Sequence, residues 1–213
     1  GDEKSQSAPL MRQSFSYEKQ DGKALLYVNY LGYHEAYLNG TPVSDAVLAP
    51  TVSQWGKRSQ NVAYDVTPLL KKGENELVLW TGIGWYQTHN KAVVPGGPYV
   101  RAQLDVLSVD GAKTLVATDG TWQWAESGRR TFGTWRPHQM GGEIVDARTT
   151  PANMTTQALN SLAWQPVVVA DIPAHQATPQ MCELNKKTQS FHPVKVHQDE
   201  DVLDTWFSSW LWP

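Results

Sequence analysis

The chain of 213 residues is 40% hydrophobic and carries a net charge of −3. That is enough apolar material for a real core, and too little positive charge to suit a nucleic-acid partner. No run of Lys or Arg exceeds a pair, no apolar run approaches a membrane span, and the single cysteine, Cys182, excludes an internal disulfide and any cysteine-based metal site.

Residues 1–9 are polar and read as a flexible leader. From Ala24 the pattern is that of strands. "ALLYVNY" is rich in β-formers, and "YHEAYLNGTPVSD" places Asn39-Gly40 between extended flanks, a dipeptide that accepts positive φ at both central positions of a hairpin turn. In "DVTPLLKKGENELVLW", Asp65 or Thr67 caps one helical turn over Pro68-Leu69-Leu70, and residues 72–75 turn the chain into the strand "ELVLW". Val100, Ala102, Leu104 and Val106 then alternate with Arg101, Gln103 and Asp105, and Asp110-Gly111 marks a second hairpin. Residues 150–162 read as a polar connector with one short helix. "AWQPVVVADIP" returns to extended structure, and "SFHPVKVHQ" supplies one more strand, with Pro193 near its edge.

Turn signals recur every 8–12 residues and no long amphipathic helix intervenes. The expected fold is all-β, an antiparallel β-sandwich or jelly roll with little helix, over residues 10–197.

Few chemical constellations stand out. Glu143 and Asp146 in "GGEIVDAR" form a carboxylate pair, the residue type that glycoside hydrolysis requires, but Arg148 stands beside them and a structural ion pair is the simpler assignment. No two of the six histidines sit at a metal-ligand spacing, and "GIGWY" lacks the Lys-Ser/Thr of a phosphate loop. No catalytic residue, metal or cofactor is therefore assigned. Ten tryptophans point to packing or to sugar stacking. "GIGWYQTHN" presents Trp85, Tyr86, His89 and Asn90 after two glycines, and "SQWGKR" presents Trp55 and Arg58. Aromatic faces stack on a pyranose ring while Asn, His and Arg bond its hydroxyls, so these six are the candidate carbohydrate-binding residues.

The order of pieces in residues 24–86, "LGYHEAYLNG", "LAP", "YDVTPLLKKGEN" and "GIGWY", followed by "RAQLDVLSVDG", "TDGTWQW", "GGEIVDAR" and "AWQPVVV", resembles the N-terminal β-sandwich module of bacterial α-L-rhamnosidases of glycoside hydrolase family 78. The resemblance covers about residues 8–197. It implies an accessory domain whose catalytic carboxylates lie in a separate helical barrel, so this chain alone is expected to be inactive. It also implies a periplasmic or secreted parent protein, no signal peptide being present in this chain. The implied partners are that catalytic domain and a rhamnose-containing glycan or glycoside, with no nucleic acid and no membrane. A free-standing carbohydrate-binding module is the alternative. Some related modules bind rhamnose through calcium, but "SQWGKRSQN" offers no acid for such an ion.

Residues 198–213, "QDEDVLDTWFSSWLWP", depart from that pattern and resemble a short segment of valyl-tRNA synthetases. The ATP-binding signatures of that class are missing from this sequence. A fragment of such a synthetase is the remote alternative. A junction artefact, a chimeric gene and coincidence all remain open as origins of this anomalous tail.

Overall fold

The computed structural model describes residues 6–18, 21–51, 59–84, 99–132 and 142–170. The tail at 198–213 and the strand expected near Pro193 lie outside the described residues. Strands run as β1 (Gln6–Ser7), β2 (Leu10–Tyr17), β3 (Lys23–Tyr30), β4 (Tyr33–Leu38), β5 (Thr41–Pro42), β6 (Asn61–Asp65) and β7 (Gly73–Gly82). They continue as β8 (Val100–Ser108), β9 (Gly111–Ala117), β10 (Gln123–Ala125), β11 (Arg129–Phe132), β12 (Gly142–Val145) and β13 (Gln165–Pro166), with one short helix, α1 (Thr156–Leu159). Every strand pair among the described residues is antiparallel.

Two sheets form the sandwich, one ordered β13-β10-β2-β7-β4-β5 and the other β6-β3-β8-β9, and a small sheet β1-β11-β12 stands beside them. Period-2 alternation explains the main core. Ala24, Leu26 and Val28 of β3 and Ala102, Leu104 and Val106 of β8 face Phe15, Leu38, Leu77 and Leu79 of the larger sheet, with Trp122 buried among them. The expected hairpin at Asn39-Gly40 is present. Leu38 pairs with Thr41, and the two central residues take φ of 54° and 81°, the combination of a type I′ turn.

Strand β7 breaks the alternation, because Asn75 through Leu79 are all buried. Leu77 and Leu79 face the main core, whereas Val78 joins Leu10, Met154 and Leu159 in a second cluster on the outer side of the larger sheet. The segment expected as a polar connector is the cover of that side. Thr155 caps α1 by accepting a hydrogen bond from the Ala158 amide, which aims Leu159 at the sheet. Arg12 ties the cover down: its guanidinium lies 4.0 Å from the centre of the Trp164 ring and 3.4 Å from Glu76, whose other oxygen accepts from Thr156 at 2.7 Å.

Two details differ from expectation. Residues 6–9, read as leader, are tied in: the Ala8 carbonyl accepts from Trp80 Nε1, and the Pro9 carbonyl accepts from the Thr81 amide and hydroxyl. The expected helical turn is a 3-10 turn over Thr67–Leu69 with Val66 in the capping position. Asp65 instead accepts from the Thr67 amide and hydroxyl just before it.

Candidate functional site

All six candidate sugar contacts, Trp55, Arg58, Trp85, Tyr86, His89 and Asn90, lie outside the described residues. The chain ends that carry them are described, and they converge. Asn29 pairs with Asn61, Tyr30 with Val100 and Tyr33 with Gly82, so the segments 52–58 and 85–98 both leave from one end of the sandwich. The Thr51 hydroxyl donates to Gln60 Oε1 at 2.7 Å, joining the two sides of the first segment. The second starts at Gly84, whose backbone rests on Tyr33: a Cβ there would sit 2.9 Å from the ring and would also have to accept φ of 53°.

Beneath this end lies a polar cluster that single residues in the sequence did not flag. His34 is buried, and its Nε2 is 3.0 Å from the Tyr64 hydroxyl. Its ring stands edge-on to those of Tyr30 and Tyr64, with interplanar angles of 87° and 85°. Burial lowers the His34 pKa to about 4 and raises those of Tyr30 and Tyr64, so at neutral pH the cluster is polar and uncharged. The available signal was the alternation His34, Ala36, Leu38, which places the imidazole on the apolar face of β4.

Beside His34 the edge of β4 is held open. The Val43 amide donates to the Ala36 carbonyl at 3.0 Å and the His34 amide to the Ala49 carbonyl at 2.8 Å, so residues 44–48 arch away between two pinned points. A cavity of about 180 Å³ lies under the arch, lined by Glu35, Tyr37, Ser44, Asp45 and Tyr64 as well as His34. The Tyr37 hydroxyl donates to Glu35 at 2.5 Å.

The carboxylate pair of "GGEIVDAR" is divided between two arginines. Arg148 binds Asp146 through Nε at 2.9 Å and Nη2 at 2.7 Å, and these bonds hold the Asp146 pKa down to about 2. Glu143 faces Arg129 at 3.8 Å. Both acids serve ion pairs, as expected. Among the described residues no group of three or more His, Cys, Asp or Glu side chains is arranged to hold a metal ion, and no helix is long and apolar enough to cross a membrane.

Comparison with known proteins follows this architecture. The family described as "Alpha-L-rhamnosidase N-terminal domain" matches residues 19–189. An α-L-rhamnosidase of Formosa agariphila is 28% identical over 204 residues, covering 92% of this chain and 21% of its own length. One from Streptomyces avermitilis is 33% identical over 157 residues, 72% of this chain and 15% of its own. The crystal structure of a Streptomyces avermitilis α-L-rhamnosidase complexed with L-rhamnose superposes with a TM-score of 0.60 at 29% identity, over 78% of this chain and 16% of that one. The chain thus spans about a fifth or less of the relatives it matches. Separately, 19 residues are 90% identical to a valine–tRNA ligase of Chlorobaculum tepidum, 9% of this chain and 2% of the ligase, in agreement with the resemblance read at residues 198–213. With a family match across 19–189 and an antiparallel sandwich to carry it, this chain belongs to the α-L-rhamnosidase N-terminal domain family.

Proposed function

We propose that this chain is the non-catalytic N-terminal β-sandwich of an α-L-rhamnosidase-like glycoside hydrolase, working outside the cytoplasm. In this reading it supports the catalytic domain and contacts rhamnose-containing glycans through segments 52–58 and 85–98. The observation that carries the reading is that the described residues flanking both segments meet at one end of the sandwich, within a domain of this family. Loops held by a rigid sandwich are where binding groups concentrate. The relative crystallised with L-rhamnose makes that sugar the probe to use. The ion-paired state of Glu143 and Asp146 supports the non-catalytic part, since each carboxylate already faces a guanidinium group and Asp146 is held ionised by its own.

Titration calorimetry tests the contact. L-Rhamnose is expected to bind weakly, with Kd near 1 mM, or about −4 kcal/mol, and Trp85→Ala should abolish the binding without unfolding the chain. No heat from the folded wild-type chain would leave the module as a structural spacer. Aryl α-L-rhamnosides should survive incubation with this chain, and turnover that disappears in Glu143→Gln would overturn the non-catalytic assignment.

A further inference from the structure

The two sheets treat their outer aromatics differently. On the larger sheet Trp80, Trp164 and Tyr37 already have partners. Trp80 Nε1 donates to the Ala8 carbonyl and Trp164 Nε1 to the Leu159 carbonyl, and the Tyr37 hydroxyl donates to Glu35. Guanidinium groups cover the rings, Arg12 on Trp164 at 4.0 Å and Arg129 on Trp80 at 4.2 Å. The outer face of the four-stranded sheet carries exposed and half-buried residues, apart from the buried Asp105. Its residues fall into rows set by register. Asn61, Asn29 and Arg101 form the first, Ala63, Tyr27 and Gln103 the second, and Asp65, Leu25 and Asp105 the third. Tyr27 is half-buried at the centre, next to the small, exposed Ala63.

The partners on this face are distributed unevenly. In the third row the acids are occupied: Asp105 accepts from Gln103 at 2.8 Å and Thr114 at 2.7 Å, and Asp65 accepts from Thr67 at 2.6 Å. In the first row Asn29 Nδ2 donates to Ser59 and Asn61, both at 2.9 Å, which fixes two amides side by side. Arg101, exposed beside them, has no hydrogen bond or ion pair with any described residue, and neither has the Tyr27 hydroxyl. A half-exposed ring, fixed amides and an unpaired guanidinium are the groups that recognise a sugar ring, its hydroxyls and a carboxylate respectively. Rows lie about 7 Å apart along the strands and strands about 4.8 Å apart, so Tyr27 and Arg101 are diagonal neighbours within reach of one short saccharide.

We propose that the outer face of the four-stranded sheet binds an oligosaccharide bearing a carboxylate, with Tyr27 as the stacking platform and Arg101 as the charge partner. This surface is separate from the loop contact proposed above and does not depend on it.

The test uses the full chain, with trigalacturonate as the acidic probe and maltotriose as the neutral one, followed by titration calorimetry and amide chemical shifts at low ionic strength. Trigalacturonate should bind in the millimolar range and shift residues 27, 29, 61, 101 and 103. Tyr27→Ala and Arg101→Ala should each weaken it about tenfold or more, while Tyr27→Phe keeps most of the affinity and Trp85→Ala leaves it unchanged. Added salt should weaken the complex. Equal affinity for maltotriose, or full affinity in Tyr27→Ala, overturns the proposal. Trigalacturonate binding lost in Trp85→Ala but kept in Tyr27→Ala would place the sugar on the loops and sink the sheet-face site alone.

Discussion

The two sheets of the sandwich start from the same alternating pattern and end in different surroundings. Strand β3 buries one face and leaves Leu25, Tyr27 and Asn29 half-exposed. Strand β7 buries both, because Met154, Leu159 and Trp164 return across its outer side. The lesson is that a strand's own pattern predicts how much apolar surface it offers, whereas the segment that covers it decides how much is buried.

That contrast can be broken or sharpened by mutation. The largest effect is expected from the cover. Leu159 is fully buried, and Leu159→Ala should cost about 2–4 kcal/mol through lost transfer energy and a residual cavity, measured by urea denaturation. A cost near zero would show that the cover does not belong to the cooperative unit.

Next comes the His34 cluster, which belongs to the larger sheet but lies at its junction with β6. The unfolded histidine takes up a proton near its ordinary pKa of 6.5, and the folded one only near 4. Between those values the unfolded state binds more protons, so stability should fall as pH drops through the window, by about 3 kcal/mol in all. It should be flat in this respect above pH 7. Denaturation midpoints from pH 7 to pH 4 check this, and His34→Phe should remove that portion of the slope.

The smallest effect is expected on the outer face of the four-stranded sheet. Tyr27→Ala should change stability by less than about 0.5–1 kcal/mol, as for surface positions that hold no structural role. A cost like that of Leu159→Ala would mean that something packs on Tyr27.

Much of this was legible in the sequence. Asn39-Gly40 announced its turn because few dipeptides tolerate two successive positive φ values, and the alternation of residues 100–106 gave the buried face of β8 directly. The cover was not legible: "TPANMTTQALNSLAW" is polar overall, and only the fold shows that its few apolar groups share one side. Residues 6–9 were misread for a related reason, since what fixes them is backbone accepting from Trp80 and Thr81, some 72 residues away. The six loop residues chosen as sugar contacts were reached through side-chain chemistry. What the fold adds is the shared origin of their two segments.

The rims of the larger sheet carry one more consequence. It is bounded by β13 and β5, strands of two residues each, and each contains a proline, Pro166 and Pro42. A proline has no amide hydrogen to offer a neighbouring chain, and two residues make too short a template for a new strand to zip onto. Where they stand, these two rims are therefore poor templates for strand addition, one of the ways a β-rich polypeptide avoids pairing edge to edge with copies of itself.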